Sequence, residues 1–369
     1  MAEVIEREHA GASVRASLER VCIVMMSAVG DAVHVLPVLT ALKRYRPEAQ
    51  VTWILQPGPA TLVRGHPDIG DILLFERTNG WRAYNDLRRH LARRRFDLVL
   101  ALQVYLKVGM ITRMVKAPVK LGFDMARARD MNWVFTNAQV PAHEMQHVQD
   151  QYFEFLDALG VPHGPPVWNL GPWPHELGQQ RERLRVFDRP IAPIVVATSK
   201  AQKDWLPERW AKVCDALYGD FGLQPVLVGG RSDREIAAER VIMQQAKVPV
   251  ASALGSGLRG LVQLIDGGAL ILSLDTGPLH ITVALDRPVI SLMGYSNPKR
   301  VGPYARFHDL MIDAYGDPGE AYPITMENRI NRMPRITVDD VLSKVQHWKA
   351  HYASQYGERS AQATVVLNS

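Results

Sequence analysis

The 369-residue chain has two cysteines, Cys22 in an apolar run and Cys214 on a predicted helix. That excludes a disulfide framework, and no Cys or His spacing closes a zinc site, so both thiols read as reduced core residues of a cytosolic protein. No apolar stretch is long enough and free enough of charge to span a bilayer. The first twenty residues mix Glu and Arg without an apolar core, which reads as neither a signal peptide nor a transmembrane helix and leaves any membrane contact peripheral. Low-complexity sequence is confined to the polar last dozen residues, expected to fray, and the two halves share no residue-level repeat. Excess charge is also modest: 43 Lys and Arg against 38 Asp and Glu give +5, which suggests an acidic ligand or surface without requiring nucleic acid.

What is present is an ordinary soluble composition, 47% hydrophobic and 22% charged, at a length that accommodates two domains. Short apolar runs at Val21–Met26, Val51–Leu55, Ile72–Phe75 and Asp97–Leu102 read as buried parallel strands. Amphipathic stretches at Ala32–Tyr45 and Trp81–Arg94 read as helices between them. Eight Pro and Gly from Gly160 to Pro174 defeat helix and sheet interior and mark a domain boundary. Strand-like runs then resume at Pro193–Ala197, Pro225–Val228, Val248–Ala251, Ala269–Leu274 and Pro288–Met293. The expectation is an α/β fold of two Rossmann-like, doubly wound domains facing across a cleft: an extension over 1–20, a first domain over 21–165, a linker over 166–190, a second domain over 191–350 and a tail over 351–369.

Three segments at predicted strand ends carry candidate chemistry. Ser27 to His34 follows the first strand and opens the first helix. Asp31 there is either a helix cap with Gly30 as the turn, or a general base for an acceptor hydroxyl. The loop lacks a dinucleotide or Walker glycine spacing, so a nucleotide belongs to the second half. There, Asp275-Thr276-Gly277-Pro278-Leu279-His280 opens a helix whose N-terminus suits a diphosphate, although it equally satisfies a simple cap. Thr198-Ser199-Lys200 and Lys203 form the third segment, where a lysine either neutralises a leaving diphosphate or is a solvated loop charge. Trp205 and Trp210 are expected to pack. Gly229 and Gly230 permit close approach of a ligand, with Asp233 or Glu235 able to accept from a ribose. Finally, Arg77, Arg82, Arg88, Arg89, Arg93, Arg94 and Arg95 face only Asp86, as a surface for acceptor phosphates or anionic headgroups or as a solvated helix face.

Taken together, Ser27 to Pro37, Lys203 to Trp210 and Asp275 to His280, with Gly302-Pro303-Tyr304 beyond, resemble the signature segments of glycosyltransferase family 9, the heptosyltransferases, over about residues 20 to 350. The resemblance implies a GT-B fold and inverting transfer from ADP-L-glycero-D-manno-heptose without an obligatory metal or other cofactor. It also implies a lipid A–Kdo core acceptor at the cytoplasmic face of the inner membrane, with that anionic surface a peripheral partner. Asp31 matches the general base, Lys203 the diphosphate-side lysine, and Thr276, Gly277 and His280 the donor phosphate loop, with Asp275 shaping its turn. Thr198, Ser199, Lys200, Gly229, Gly230, Asp233 and Glu235 complete the donor side, while Ser27, Gly30, His34, Arg77 and Arg82 serve the acceptor. The chain departs from the family pattern at Gly294 to Pro298, where many members have Gly-Pro-Thr-Asp-Pro, and at Arg234, where a ribose-binding Glu is expected. Two rivals are a nucleotide-sugar 2-epimerase, which needs further acid and base groups, and a non-catalytic nucleotide-sugar-binding regulator of polysaccharide assembly.

Overall fold

Each half of the chain builds one parallel sheet with helices on its faces, and in both halves the strand order reverses at the middle of the sheet. The computed structural model describes residues 13–356; the start of the expected extension and the end of the expected tail, with its fraying residues, lie outside them. Two compact units result: Glu144 closes the main run of the first, which resumes over Val148–Asn169, and Met145–His147 joins the second, which continues from Leu170. The change at Asn169 to Leu170 falls within the Pro- and Gly-rich stretch.

The first unit contains β1 (Arg20–Val24), β2 (Gln50–Leu55), β3 (Asp71–Leu74), β4 (Leu98–Ala101), β5 (Val119–Gly122) and β6 (Ala138–Gln139). Its order is β3-β2-β1-β4-β5-β6, all parallel. The helices are α1 (Val29–Tyr45), α2 (Pro57–Val63), α3 (Trp81–Leu91), α4 (Leu106–Met114) and α5 (Val148–Ala158). In the second unit β7 (Ile191–Val195), β8 (Gln224–Val228), β9 (Ala251–Ser252), β10 (Ile271–Leu274), β11 (Val289–Met293) and β12 (Ile312–Asp313) are ordered β12-β11-β10-β7-β8-β9. That is the same winding. Its helices are α6 (Leu177–Leu184), α7 (Pro207–Gly219), α8 (Asp233–Gln245), α9 (Gly257–Asp266), α10 (Gly277–Ala284), α11 (Pro298–Val301) and α12 (Val338–His351). Such an order places a crevice at the carboxyl ends of the two central strands, β1 and β4 in one unit and β7 and β10 in the other.

The central strands form where the sequence is apolar on both sheet faces, and Val21, Val24, Leu98, Leu100, Ile194, Ile271 and Leu274 are fully buried. β5 and the edge strands β6 and β12 escape an apolar-run criterion because they are short and half-polar, and only partly buried. The expected strand at Val248–Ala251 contracts to Ala251–Ser252 because Pro249 has no N–H for a ladder. The first helix begins three residues earlier than expected, at Val29, so Asp31 lies inside its first turn. The helix expected to run to Arg94 ends at Leu91, and Arg94 turns back to pair with Asp71 at 2.5 Å.

Trp205 and Trp210 pack edge-to-face, centroids 4.7 Å apart, in the core of the second unit. The Trp205 indole N–H donates to the Ile336 carbonyl at 3.0 Å, tying the segment after β7 to the start of α12. Truncating Trp205→Ala removes both that burial and that bond. Urea unfolding is expected to show a loss of about 3–5 kcal/mol.

Candidate active site

In the first unit the residues following β1, β2, β3 and β4 surround a cavity of about 1040 Å³. Met26, Phe75 and Val108 form its buried floor; Asp31, Tyr84 and Gln103 stand half-buried on its wall; Arg77, Tyr105, Leu106, Lys107, Asp130 and Met131 form its exposed rim. An apolar floor with a few polar groups above it is the pattern of a small-molecule site. Asp31 Oδ2 accepts from the Ala28 N–H at 2.7 Å, which caps α1, and the same carboxylate lines the cavity. The two roles considered for Asp31 are therefore geometrically compatible.

Ser27 and Arg77 join Asp31 at the cavity. Gly30 is buried in the first turn of α1. His34 is not brought to the cavity: it is one turn further along α1 and buried, with Nδ1 3.1 Å from Gln149 Oε1 of α5, while Gln149 Nε2 donates to the His34 carbonyl at 3.0 Å. Arg82 points from the exposed face of α3, away from Ala83, Leu87 and Leu91, which bury the opposite face. Sequence reasoning missed Gln103, Lys107 and Tyr84; only Lys107, a cation just past the β4 end, left a signal that could have been followed.

In the second unit, Lys203 Nζ lies 2.6 Å from Asp275 Oδ2, with Asp275 buried and Lys203 mostly so. This pair locks the loop after β7 to the loop after β10, across the strand-order reversal. Thr276 is the extended N-cap of α10 and no side chain caps that helix, so its leading N–H groups and Gly277 form a dipole end suited to an anion. His280, one turn in, is buried, and burial lowers its pKa to about 4, against the opposing pull of Asp275 and with help from His147 and Lys203. It is a neutral imidazole at physiological pH.

Thr198 shapes its own loop: its N–H donates to Asp204 Oδ1 at 2.7 Å, and its hydroxyl lies 2.9 Å from the same oxygen and donates to the Lys200 carbonyl at 2.8 Å. Burial raises the Asp204 pKa, opposed by those bonds and by Arg234, which also donates to the Thr198 carbonyl. Arg234 thus pins the loop from α8. Ser199 and Lys200 are exposed, and the Lys200 and Lys203 ammonium groups stand 5.6 and 5.9 Å from the centre of the Tyr295 ring. Gly229 and Gly230 make room for a side chain of the protein: Glu235 accepts from the Gly230 N–H at 2.6 Å and from the Ser232 N–H at 2.9 Å, and a Cβ on Gly229 would lie 2.5 Å from its carboxylate. Glu235 is therefore committed to capping α8, whereas Asp233 is exposed on its first turn.

The sequence profile of glycosyltransferase family 9 (heptosyltransferase) matches residues 84–316. The chain belongs to glycosyltransferase family 9. It is accordingly a glycosyltransferase. A lipopolysaccharide core heptosyltransferase, OpsX, of Haemophilus influenzae is 29% identical over 335 residues, covering 88% of this chain and 95% of that protein. Lipopolysaccharide heptosyltransferase 1 of Salmonella typhimurium is 26% identical, covering 78% and 92%. In three dimensions the chain is similar to the Escherichia coli heptosyltransferase WaaC solved with ADP, at a TM-score of 0.70 and 24% identity over 91% of this chain and 99% of that one. The family 9 glycosyltransferase of Veillonella parvula gives 0.75 at 20% identity over 91% and 98%. The two Rossmann-like sheets of this family 9 member are those of the GT-B heptosyltransferase fold.

His280 gives the family 9 site a measurable pH signature. Its folded pKa is below the unfolded value of 6.5, so as pH falls from about 6.5 to about 4 the unfolded chain takes up a proton that the folded one refuses, and stability is lost on acidification. Replacing His280→Gln is expected to shrink the difference in unfolding free energy between neutral pH and pH about 4.5 by about 2 kcal/mol, read by denaturant titration at both pH values.

Proposed function

We propose that this glycosyltransferase moves heptose from ADP-L-glycero-D-manno-heptose onto the Kdo/heptose inner core of lipopolysaccharide in one inverting displacement. The observation that carries the reading is the half-buried Asp31 carboxylate on the wall of a substrate-sized cavity at the first strand-order reversal. It is supported by the relatives named for lipopolysaccharide core transfer and by the fold shared with a heptosyltransferase solved with ADP.

Asp31 takes the proton of the acceptor hydroxyl as that oxygen attacks the anomeric carbon and the bond from carbon to the donor diphosphate breaks. Lys203 and the α10 N-terminus at Thr276 and Gly277 stabilise the charge on the departing diphosphate. Neutral His280 can donate one ring N–H without a proton being gained or lost, which suits hydrogen bonding to the same anion. Thr198, Ser199, Lys200 and Asp233 border this donor side, and Arg77 and Lys107 give the acceptor cavity a cationic rim suited to carboxylate or phosphate.

Among the described residues no helix is long and apolar enough to cross a membrane. A lipid-anchored acceptor then requires the enzyme to work at the cytoplasmic face of the inner membrane as a peripheral protein, and the exposed arginines of α3, with the exposed Trp81 at its start, are the surface we assign to anionic headgroups.

Asp31→Asn keeps an oxygen for the Ala28 N–H and removes the base, so it is expected to lower kcat by about a hundredfold to ten-thousandfold and to leave nucleotide affinity unchanged. Transfer assays crossing ADP-heptose and UDP-sugars with core acceptors of increasing length, read by product mass, check this; comparable loss of binding and turnover would reduce Asp31 to a cap. Incubation with donor alone tests the epimerase alternative, since an epimerised sugar contradicts the transfer reading. Replacing Arg82, Arg88 and Arg89 together by Gln is expected to weaken sedimentation with phosphatidylglycerol vesicles by about a hundredfold at low salt, with no change on neutral vesicles.

A further inference from the structure

The junction between β1 and α1 must hold Asp31 toward the cavity, yet its backbone groups lie past the sheet edge, where no strand continues to pair them. Neighbouring residues supply the partners. From the β2 side, Trp53 Nε1 donates to the Met25 carbonyl at 3.0 Å and the Gln56 N–H donates to the Met26 carbonyl at 3.0 Å. From the β4 side, the last backbone rung is the Leu102 N–H donating to the Val24 carbonyl at 3.2 Å. Beyond it the Gln103 side chain takes over: its Oε1 accepts from the Met26 N–H at 2.8 Å and its Nε2 donates to the Ser27 carbonyl. The carboxamide thus adds one more rung between β1 and β4, built from a side chain.

That rung ends on the residue before Ala28, whose N–H holds Asp31 Oδ2. A chain of bonds therefore runs from Gln103 through Ser27 and Ala28 to the carboxylate. The geometry points to Gln103 as the residue that positions Asp31 for transfer. This rests on the reading of Asp31 as the base. A primary carboxamide is required because the rung uses one acceptor and one donor together: Glu keeps the acceptor and loses the donor, Leu loses both, and Asn is a methylene too short. The charged groups lining the same cavity are Asp31, Arg77, Lys107 and Asp130, so a carboxylate at position 103 would bring a further negative charge to Asp31's surroundings.

The test compares Gln103→Leu, Gln103→Glu and Asp31→Asn in the full-length protein by ADP release from ADP-heptose with a truncated core acceptor, together with nucleotide Kd and melting curves. A displaced base costs turnover rather than binding, so Gln103→Leu is expected to lose about ten- to a hundredfold in kcat, with acceptor KM and nucleotide Kd held within about twofold of the parent. Gln103→Glu is expected to lower kcat and to move the acid limb of its pH profile upward by about one pH unit, through like-charge repulsion at Asp31. Three results would overturn the proposal: parental kcat in Gln103→Leu, a loss confined to acceptor KM, or an unmoved acid limb in Gln103→Glu. The last also decides the matter if Gln103→Leu melts too early to assay. If Asp31→Asn keeps full turnover, the base reading falls and the Gln103 proposal with it. If Asp31→Asn is inactive and Gln103→Leu is not impaired, only the positioning role falls.

Discussion

A parallel sheet satisfies its backbone along the strands and abandons it at their carboxyl ends, where each chain leaves for a helix and neighbouring loops part company. At the centre of both sheets here, two adjacent strands send their connections to opposite faces, and the exposed peptide groups between them have to find other partners. Asp31 lies at one of these two edges, and Lys203, Thr276 and Gly277 lie at the other. In the first unit Trp53, Gln56, Gln103 and Asp31 absorb the orphaned groups; in the second, Asp204 and Arg234 hold the Thr198 turn while Lys203 and Asp275 bridge the central loops.

The same requirement shapes electrostatics. The Lys203–Asp275 pair is desolvated but placed beside the positive end of α10, so the carboxylate neutralises what would otherwise be a concentration of like partial charges. Burial keeps His280 unprotonated beside this pair, against the pull of Asp275. A neutral ring keeps a donor without adding another buried cation beside the Lys203–Asp275 pair.

How much of this could be read from the sequence depends on how local the cause is. Central strands and the helices after them announce themselves through contiguous apolar runs, and the motifs at Asp31, Lys203 and Asp275 are each contiguous and lie at strand ends. What was not legible involves partners far apart in the chain. Gln103 is 77 residues from Met26 and looks like any polar residue after a strand. His34 has an active-site address in sequence, but helical phase turns it onto Gln149, 115 residues away. Gly229 and Gly230 lie against Glu235 of the same chain, a neighbour that the glycine pair does not name. Edge strands of two residues are set by pairing rather than by hydrophobicity, and no local pattern specifies them.

The repeated strand order has one more consequence. The two units reach the same strand order with no shared residue repeat, so the winding rests on the pattern of apolar runs and connections rather than on particular side chains. Each sheet carries its own site-forming edge, one built by the residues after β1, β2, β3 and β4 and the other by the helix end that opens at Thr276. At either edge the loop residues are free to vary while the buried strands beneath them keep the winding.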